Sequence, residues 1–280
     1  MVGPRQGTPK TGFEIHECHK TLSSVSHKAE GIDHFRYLKR SKISPRPGEV
    51  VKTSHESSES NRFKLDNPIV LVHGYGDVSW SSWWTRHKEL LHEYDPAVDI
   101  YQVDFGAEIS LPFSDRRFSV PATSVGSVKD NAERLKEFVG SLEEDTVDVI
   151  AHSQGGIDAR YYVEKLDGDE KVDNLVMLGS PHQGTYTAYL AFFTAGARDL
   201  RPGSQVLEDL NDELLEKVNY IALWGSRDWI VCPNRNGRLP DHLVENNDNA
   251  RNEKVDVGHT GVITRREAMG KYIRDLVEDG

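Results

Sequence analysis

The sequence predicts one α/β domain, a mostly parallel sheet with helices on both faces, and three observations carry that prediction. Short apolar runs alternate with amphipathic stretches from residue 67 to the end of the chain. The runs IVLV (69–72) and LVML (175–178) are apolar throughout rather than at every second residue, which is how strands buried on both faces read. Strands that alternate with helices need crossover connections, and crossovers join parallel strands.

Each element follows from its own pattern. PIVLVHG (68–74) reads as a buried strand, and WSSWWTRHKELLHE (80–93) follows at helical spacing. VDIYQVDF (98–105) is the next strand, after which a loop with two prolines leads to SVKDNAERLKEFVGSL (127–142). That stretch places Val128, Ala132, Leu135 and Val139 on one helical face. VDVIAHS (147–153) is a strand running into a turn, with the helix GIDARYYVEKL (156–166) after it. VDNLVMLGS (172–180) and VNYIALWGS (218–226) are strands, QVLEDLNDELLEK (205–217) lies between them as a helix, and TRREAMGKYIRDLVED (264–279) closes the chain as another. No internal repeat of 20–50 residues is present.

The first 66 residues are different. They hold five histidines, at 16, 19, 27, 34 and 55, a Pro-rich stretch SPRPGE (44–49) and a Ser/Glu-rich stretch SHESSES (54–60). Only short strand-like pieces stand out there, so residues 1–66 are expected to form an extension to a catalytic domain spanning 67–280. The histidine spacing matches no set of metal ligands.

Charge is divided along the same line. The chain carries 34 Lys+Arg and 45 Asp+Glu, a net −11. Residues 1–66 have 12 basic and 8 acidic residues, a net +4, and the remainder has 22 and 37, a net −15. A body at −15 lacks the basic footprint that nucleic-acid binding needs, and an anionic membrane surface repels it. No window approaches 18 consecutive apolar residues, so no transmembrane helix is expected, and MVGPRQGTPKTG has no apolar run of the secretory type. The chain as written is expected to be cytoplasmic; a processed secreted form has the same appearance. Two cysteines, Cys18 and Cys232, are compatible with one bridge or with two separate thiols.

The sharpest chemical signal is Ala151-His152-Ser153-Gln154-Gly155-Gly156, where strand 147–152 meets helix 156–166. A nucleophilic serine has to be lifted clear of the sheet on a strand-to-helix turn so tight that the residues two before and two after it must be small. Ala151 and Gly155 occupy those places, and the positive end of the following helix faces the serine. Taken alone, the string also suits a turn present for geometry only.

Together with His73-Gly74-Tyr75-Gly76 and LGSPHQGT (178–185), the serine motif resembles the α/β-hydrolase fold, and within it the small class-2 lipases and esterases whose nucleophile motif begins with alanine. DLRPGSQVLEDLN (199–211) resembles a segment that follows the sixth strand in such lipases. The resemblance covers residues 67–280. It implies a serine hydrolase that cleaves carboxylic esters with hydrophobic acyl groups through an acyl-enzyme at Ser153, with no cofactor. Thioesterase or acyltransferase chemistry would use the same residues, and a non-catalytic binding scaffold is the alternative of another class.

In this fold the acid and then the base follow the serine along the chain. Asp228, just beyond strand 218–226, is the expected acid, with Asp241 and Asp256 as the other nearby carboxylates. His259, between Gly258 and Gly261 and ahead of the last helix, is the expected base, with His242 as the other late histidine. The resemblance also implies an oxyanion hole from the backbone N–H groups of Gln154 and Tyr75. His152 and His182, beside the motifs, are expected to be structural. TYTAYLAFFTAGA (185–197) suits a core helix or a pocket wall, which makes Tyr189, Phe192, Phe193 and Trp80 the candidate substrate contacts. No metal is expected: some related lipases bind calcium near the base, but TGVIT after His259 offers no carboxylate, and the acidic loop 241–256 reads as a solvated charge run. The expected partner is a small-molecule ester or lipid.

Overall fold

The computed structural model of the chain describes residues 64–77, 82–103, 105, 107–110, 117–120, 125–191 and 193–276, with backbone only at 82–83, 107–110 and 117–120. The histidine-rich part of the expected extension, Cys18, Trp80 and Phe192 lie outside the described residues. Leu65 is already buried in the domain core, and the backbone N–H of Asp66 donates to Leu276 O at 3.0 Å.

Along the chain come β1 (Ile69–Val72), α1 (Ser82–Tyr94), β2 (Ile100–Val103), β3 (Ala107–Ser110), β4 (Arg117–Val120), α2 (Val128–Gly140), β5 (Val147–His152) and α3 (Gln154–Lys165). They are followed by β6 (Val172–Leu178), α4 (Ala195–Asp199), α5 (Gln205–Leu210), β7 (Asn219–Gly225), α6 (Asp241–Glu245), β8 (Ala250–Val255), α7 (Gly261–Thr264) and α8 (Arg266–Met269). Six strands form one sheet in the order β2-β1-β5-β6-β7-β8, and every neighbouring pair is parallel. Successive strand residues face opposite sides of the sheet. Val70, Val72, Val149, Ala151, Leu175, Met177 and Ala222 pack on one side with Ala132, Leu135 and Val139 of α2 and Ala159 and Val163 of α3. Ile69, Leu71, Ile150, Val176, Leu178, Ile221 and Leu223 pack on the other with Trp84, Leu90 and Leu91 of α1 and the C-terminal Met269, Tyr272 and Ile273. Burial on both sides is why these strands read as continuous apolar runs.

The chain leaves β1 toward β2 and returns on the other side of β1 to form β5. Reversals of this kind open a crevice at the carboxyl ends of the two strands, where α/β proteins bind ligands. The segments leaving those ends are His73-Gly74-Tyr75-Gly76 and His152-Ser153-Gln154.

Four stretches differ from expectation. β8, ARNEKV, is a sheet strand without an apolar run, because among the described residues it pairs with β7 alone and most of its residues stay partly exposed. The expected loop before α2 contains the antiparallel pair β3 and β4. The expected helix 205–217 ends at Leu210, because Asn211 turns its side chain into tertiary bonds: Oδ1 accepts from Arg160 Nη1 at 3.1 Å and Nδ2 donates to His182 O at 2.7 Å. The C-terminal stretch keeps its helical spacing, with Ala268, Met269, Tyr272, Ile273 and Leu276 buried. It is divided by Arg265, which is extended, and by Gly270, a poor helix former, into α7, α8 and a 3₁₀ turn at Ile273–Leu276. No helix of the described residues is long and apolar enough to cross a membrane.

Candidate active site

Ser153 stands between β5 and α3 with φ 55° and ψ −125°, a region that L-residues occupy only when their surroundings force it. Its N–H donates to Leu178 O of the neighbouring strand at 2.9 Å. Glycines clear the space around the turn. A Cβ on Gly155 would lie 2.5 Å from His73 O and 2.8 Å from Val72 O, and one on Gly74 would lie 2.7 Å from Ser153 Cβ. Nothing larger than hydrogen fits at either place, so the loop after β1 lies directly against the serine. Gln154 opens α3, and the first N–H groups of a helix have no intrahelical acceptor. Its side chain donates to Gly126 O at 3.0 Å and fixes the approach to α2.

Asp228 and His259 meet beyond the ends of β7 and β8. His259 Nδ1 is 2.7 Å from Asp228 Oδ2, and Asp228 Oδ1 accepts from the backbone N–H groups of Ile230 and Val231 at 2.9 and 3.0 Å. Asp228 is 6% exposed. A carboxylate only accepts, so this pairing puts the imidazole proton on Nδ1 and leaves Nε2 free to take one. Gly179, with φ +61°, lies beneath the pair: a Cβ there would be 3.4 Å from His259 Nδ1 and 3.5 Å from Asp228 Oδ2. The other carboxylates are engaged elsewhere. Asp241 pairs with Arg238 and Asp256 with Arg227 and Ser226, both at the surface, while His242 Nε2 donates to Asn211 O at 2.9 Å.

His152 lies behind His259. Its ring is 4.6 Å from that of His259 and its Nε2 donates to His259 O at 3.2 Å. Burial holds His152 well below the usual histidine range, and the nearby His259 adds to the effect. It is therefore a neutral support for the His259 backbone. His182 is also buried and held low, first by burial and then by Arg160.

The loop after β1 is a tight turn, in which Asp77 N–H donates to Gly74 O at 3.1 Å and Gly76 has φ +66°. A positive φ at the third position of such a turn favours glycine. Tyr75 occupies the second position, and its phenol is 2.8 Å from Thr194 Oγ1.

A pocket of about 430 Å³, counting its open mouth, runs from Ser153 past Tyr75. Its walls are Ala188, Ala191, Ala197, Leu200, Ile230 and Val231, with Thr185, Thr187 and Pro181. The segment 185–197 thus contributes its small residues to the pocket. Tyr189 and Phe193 are 48% and 46% exposed and are not among the lining residues; Tyr189 stacks on Tyr186 and lies under Arg201 instead. Trp84 is fully buried beneath the site, in T-shaped contact with His152 and His87. Ala188 and Ala191 do not stand out in the sequence, where large apolar residues are the usual mark of a pocket wall. Their three-residue separation in a 3₁₀ turn, which aligns them on one face, was the available signal. The N–H of Cys232 donates to Thr185 Oγ1 at 2.8 Å on the pocket side. Among the described residues no three His, Cys, Asp or Glu side chains are grouped to hold a metal ion.

Solved structures share this architecture. The chain is similar to the mature form of the Bacillus licheniformis lipase BlEst2, with a TM-score of 0.60 and 16% identity over 84% of this chain and 100% of that one. The propeptide form of the same lipase matches equally well, with 17% identity over 84% of this chain and 55% of that longer one. It is also similar to α/β hydrolase domain-containing protein 10 from mouse, with a TM-score of 0.53 and 12% identity over 81% of this chain and 91% of that one. At such identities the likeness establishes the fold, which is that of the α/β hydrolases. A family model for palmitoyl protein thioesterases matches residues 68–234, from β1 through the serine turn and Asp228. That match spans more than half of the sequence, and the chain belongs to the palmitoyl protein thioesterase family.

Proposed function

We propose that this α/β hydrolase cleaves carboxylic esters with hydrophobic acyl groups, through an acyl-enzyme on Ser153. The observation that carries the reading is the 2.7 Å pairing of His259 Nδ1 with the buried Asp228, brought to the same end of the sheet as a serine held at φ 55°. A serine hydroxyl is a weak nucleophile until a base takes its proton, and the base works best when a carboxylate orients it. Ser153 Oγ attacks the acyl carbon as His259 Nε2 takes its proton. The N–H groups of Gln154 and Tyr75 hold the oxyanion, and the leaving alcohol departs with the proton from His259. Water, activated in turn by His259, then releases the acid. The apolar pocket beside Ser153 receives the acyl chain.

The family match supports a second substrate class, thioesters, through the same acyl-enzyme. A thiol has a pKa near 8.5 and leaves readily as thiolate, so a thioester depends less on proton delivery from His259 than an oxoester does. Matched pairs of oxoesters and thioesters of increasing acyl length distinguish the two classes. Covalent labelling by a fluorophosphonate is expected for the wild type and not for Ser153→Ala. His259→Ala is expected to lower oxoester turnover by about 10⁴-fold or more. A wild-type protein that neither labels nor turns over any of these esters would leave the fold as a binding scaffold.

A further inference from the structure

Thr194 does not line the pocket, yet its hydroxyl joins three parts of the site. Oγ1 is 3.2 Å from Ala191 O, 3.3 Å from Ala197 N and 2.8 Å from the Tyr75 hydroxyl. A hydroxyl has one proton to give and two lone pairs to accept with. The carbonyl of Ala191 only accepts and the N–H of Ala197 only donates, so Thr194 gives its proton to Ala191 O and accepts from Ala197 N–H. Its remaining lone pair faces Tyr75, which makes the Tyr75 O–H the donor. All three capacities of Thr194 are used, at a side chain that is 6% exposed.

Ala191 and Ala197 line the pocket on either side of Thr194, the second of them in the helix α4 that Thr194 caps. Tyr75 is the turn residue whose N–H faces the serine in the proposed reaction. We infer that Thr194 is a positioning residue: through the Tyr75 phenol it fixes the oxyanion turn to the wall of the acyl pocket, so that a chain filling the pocket holds the N–H of Tyr75 in place. This inference rests on the reading of Ser153 as an acyl-accepting nucleophile. It adds that acyl-chain occupancy is felt in kcat and not only in KM.

Tyr75→Phe isolates the link, because it removes one hydrogen bond, keeps the aromatic ring in the pocket wall and leaves the α4 cap intact. With a series of nitrophenyl esters, kcat for the wild type is expected to rise with acyl length. In Tyr75→Phe it is expected to fall about three- to tenfold for long chains, the worth of one neutral hydrogen bond, with KM nearly constant and with less loss for acetate. Affinity for a boronic acid that mimics the tetrahedral intermediate should fall by a similar factor. Thr194→Val should show the same loss of kcat with a lower Tm, since it also removes the cap, and Thr194→Ser should recover the turnover. Equal kcat at every chain length in Tyr75→Phe and wild type, or a loss confined to KM or Tm, would overturn the inference while Ser153-dependent labelling still upheld the hydrolase reading. Absence of wild-type labelling and turnover would remove both.

Discussion

Ser153 carries the clearest local conflict in the chain. Its φ of 55° and ψ of −125° belong to a region essentially reserved for glycine, and holding a side chain there costs about 1–3 kcal/mol. Alanine suffers the same Cβ clash as serine, whereas glycine does not. Ser153→Gly is therefore expected to be more stable than Ser153→Ala by about 1 kcal/mol after glycine's extra chain entropy is deducted, although neither should label with a fluorophosphonate. Urea unfolding of the two variants measures the difference directly, and equal midpoints would mean that the turn is relaxed. Around this residue the sequence was unusually legible, because the requirement is local: small residues at 151 and 155 are visible without any coordinates. The expected partners of Ser153 were legible only as an order along the chain. Asp228 and His259 are 31 residues apart, and only the parallel pairing of β7 with β8 places the loops that follow them side by side. Tyr189 and Phe193 show the opposite limit, since apolar size indicates a surface to be covered but not which way a side chain points.

At the scale of elements, what failed to show in the sequence is what tertiary structure supplies. β8 has no apolar run because, among the described strands, it borders β7 alone, and α5 stops where Asn211 finds better partners than another helical turn. β5 hides a different feature. Asp148, near the start of the strand, is buried; its Oδ1 accepts from Asn174 Nδ2 at 2.7 Å and from Asn67 Nδ2 at 3.2 Å, while Oδ2 has no hydrogen-bond partner among the described residues. Burial pushes the carboxyl up to about 6, against the pull of the Asn174 and Asn67 hydrogen bonds. A carboxyl raised in the folded state binds its proton more tightly there than in the unfolded chain, so its ionisation removes stability as pH rises from about 4 to about 6. Asp148→Asn removes that dependence and keeps an acceptor oxygen. The variant's Tm advantage over wild type should grow across that window and then level off, with an upper size of about 3 kcal/mol. Thermal melts of both proteins at pH 4, 5, 6 and 7 give the curve, and a constant Tm difference would show that Asp148 is ionised throughout.

For the whole molecule, the net charge of −11 suggests a protein at ease near neutral pH, while its histidines set the acid limit. Beneath the site runs a buried file of rings from Tyr272 through His87 and Trp84 to His152, which meets the partly buried His259. Burial lowers His87 to about 4, despite a hydrogen bond to Ile263 O that favours the charged form, and it holds His152 and His182 well below their usual range. For such groups the unfolded chain binds protons that the folded one refuses. Stability therefore falls as pH drops below the unfolded value of about 6.5, and the loss attributable to His87 is complete only below about 4. Asp148 works against this between pH 6 and 4, and so do Glu164 and Asp199, whose carboxyls burial also raises. The histidine share of the acid loss is expected between pH 6.5 and 4, where proton uptake on unfolding lowers the unfolding free energy. His87→Gln tests the assignment, because an amide can donate to Ile263 O in place of Nδ1 and accept from the Tyr272 hydroxyl in place of Nε2. The dependence of its unfolding free energy on pH should be shallower than that of wild type by about one proton in this window. An identical acid limb in the two proteins would place the proton uptake elsewhere and remove His87 from the account.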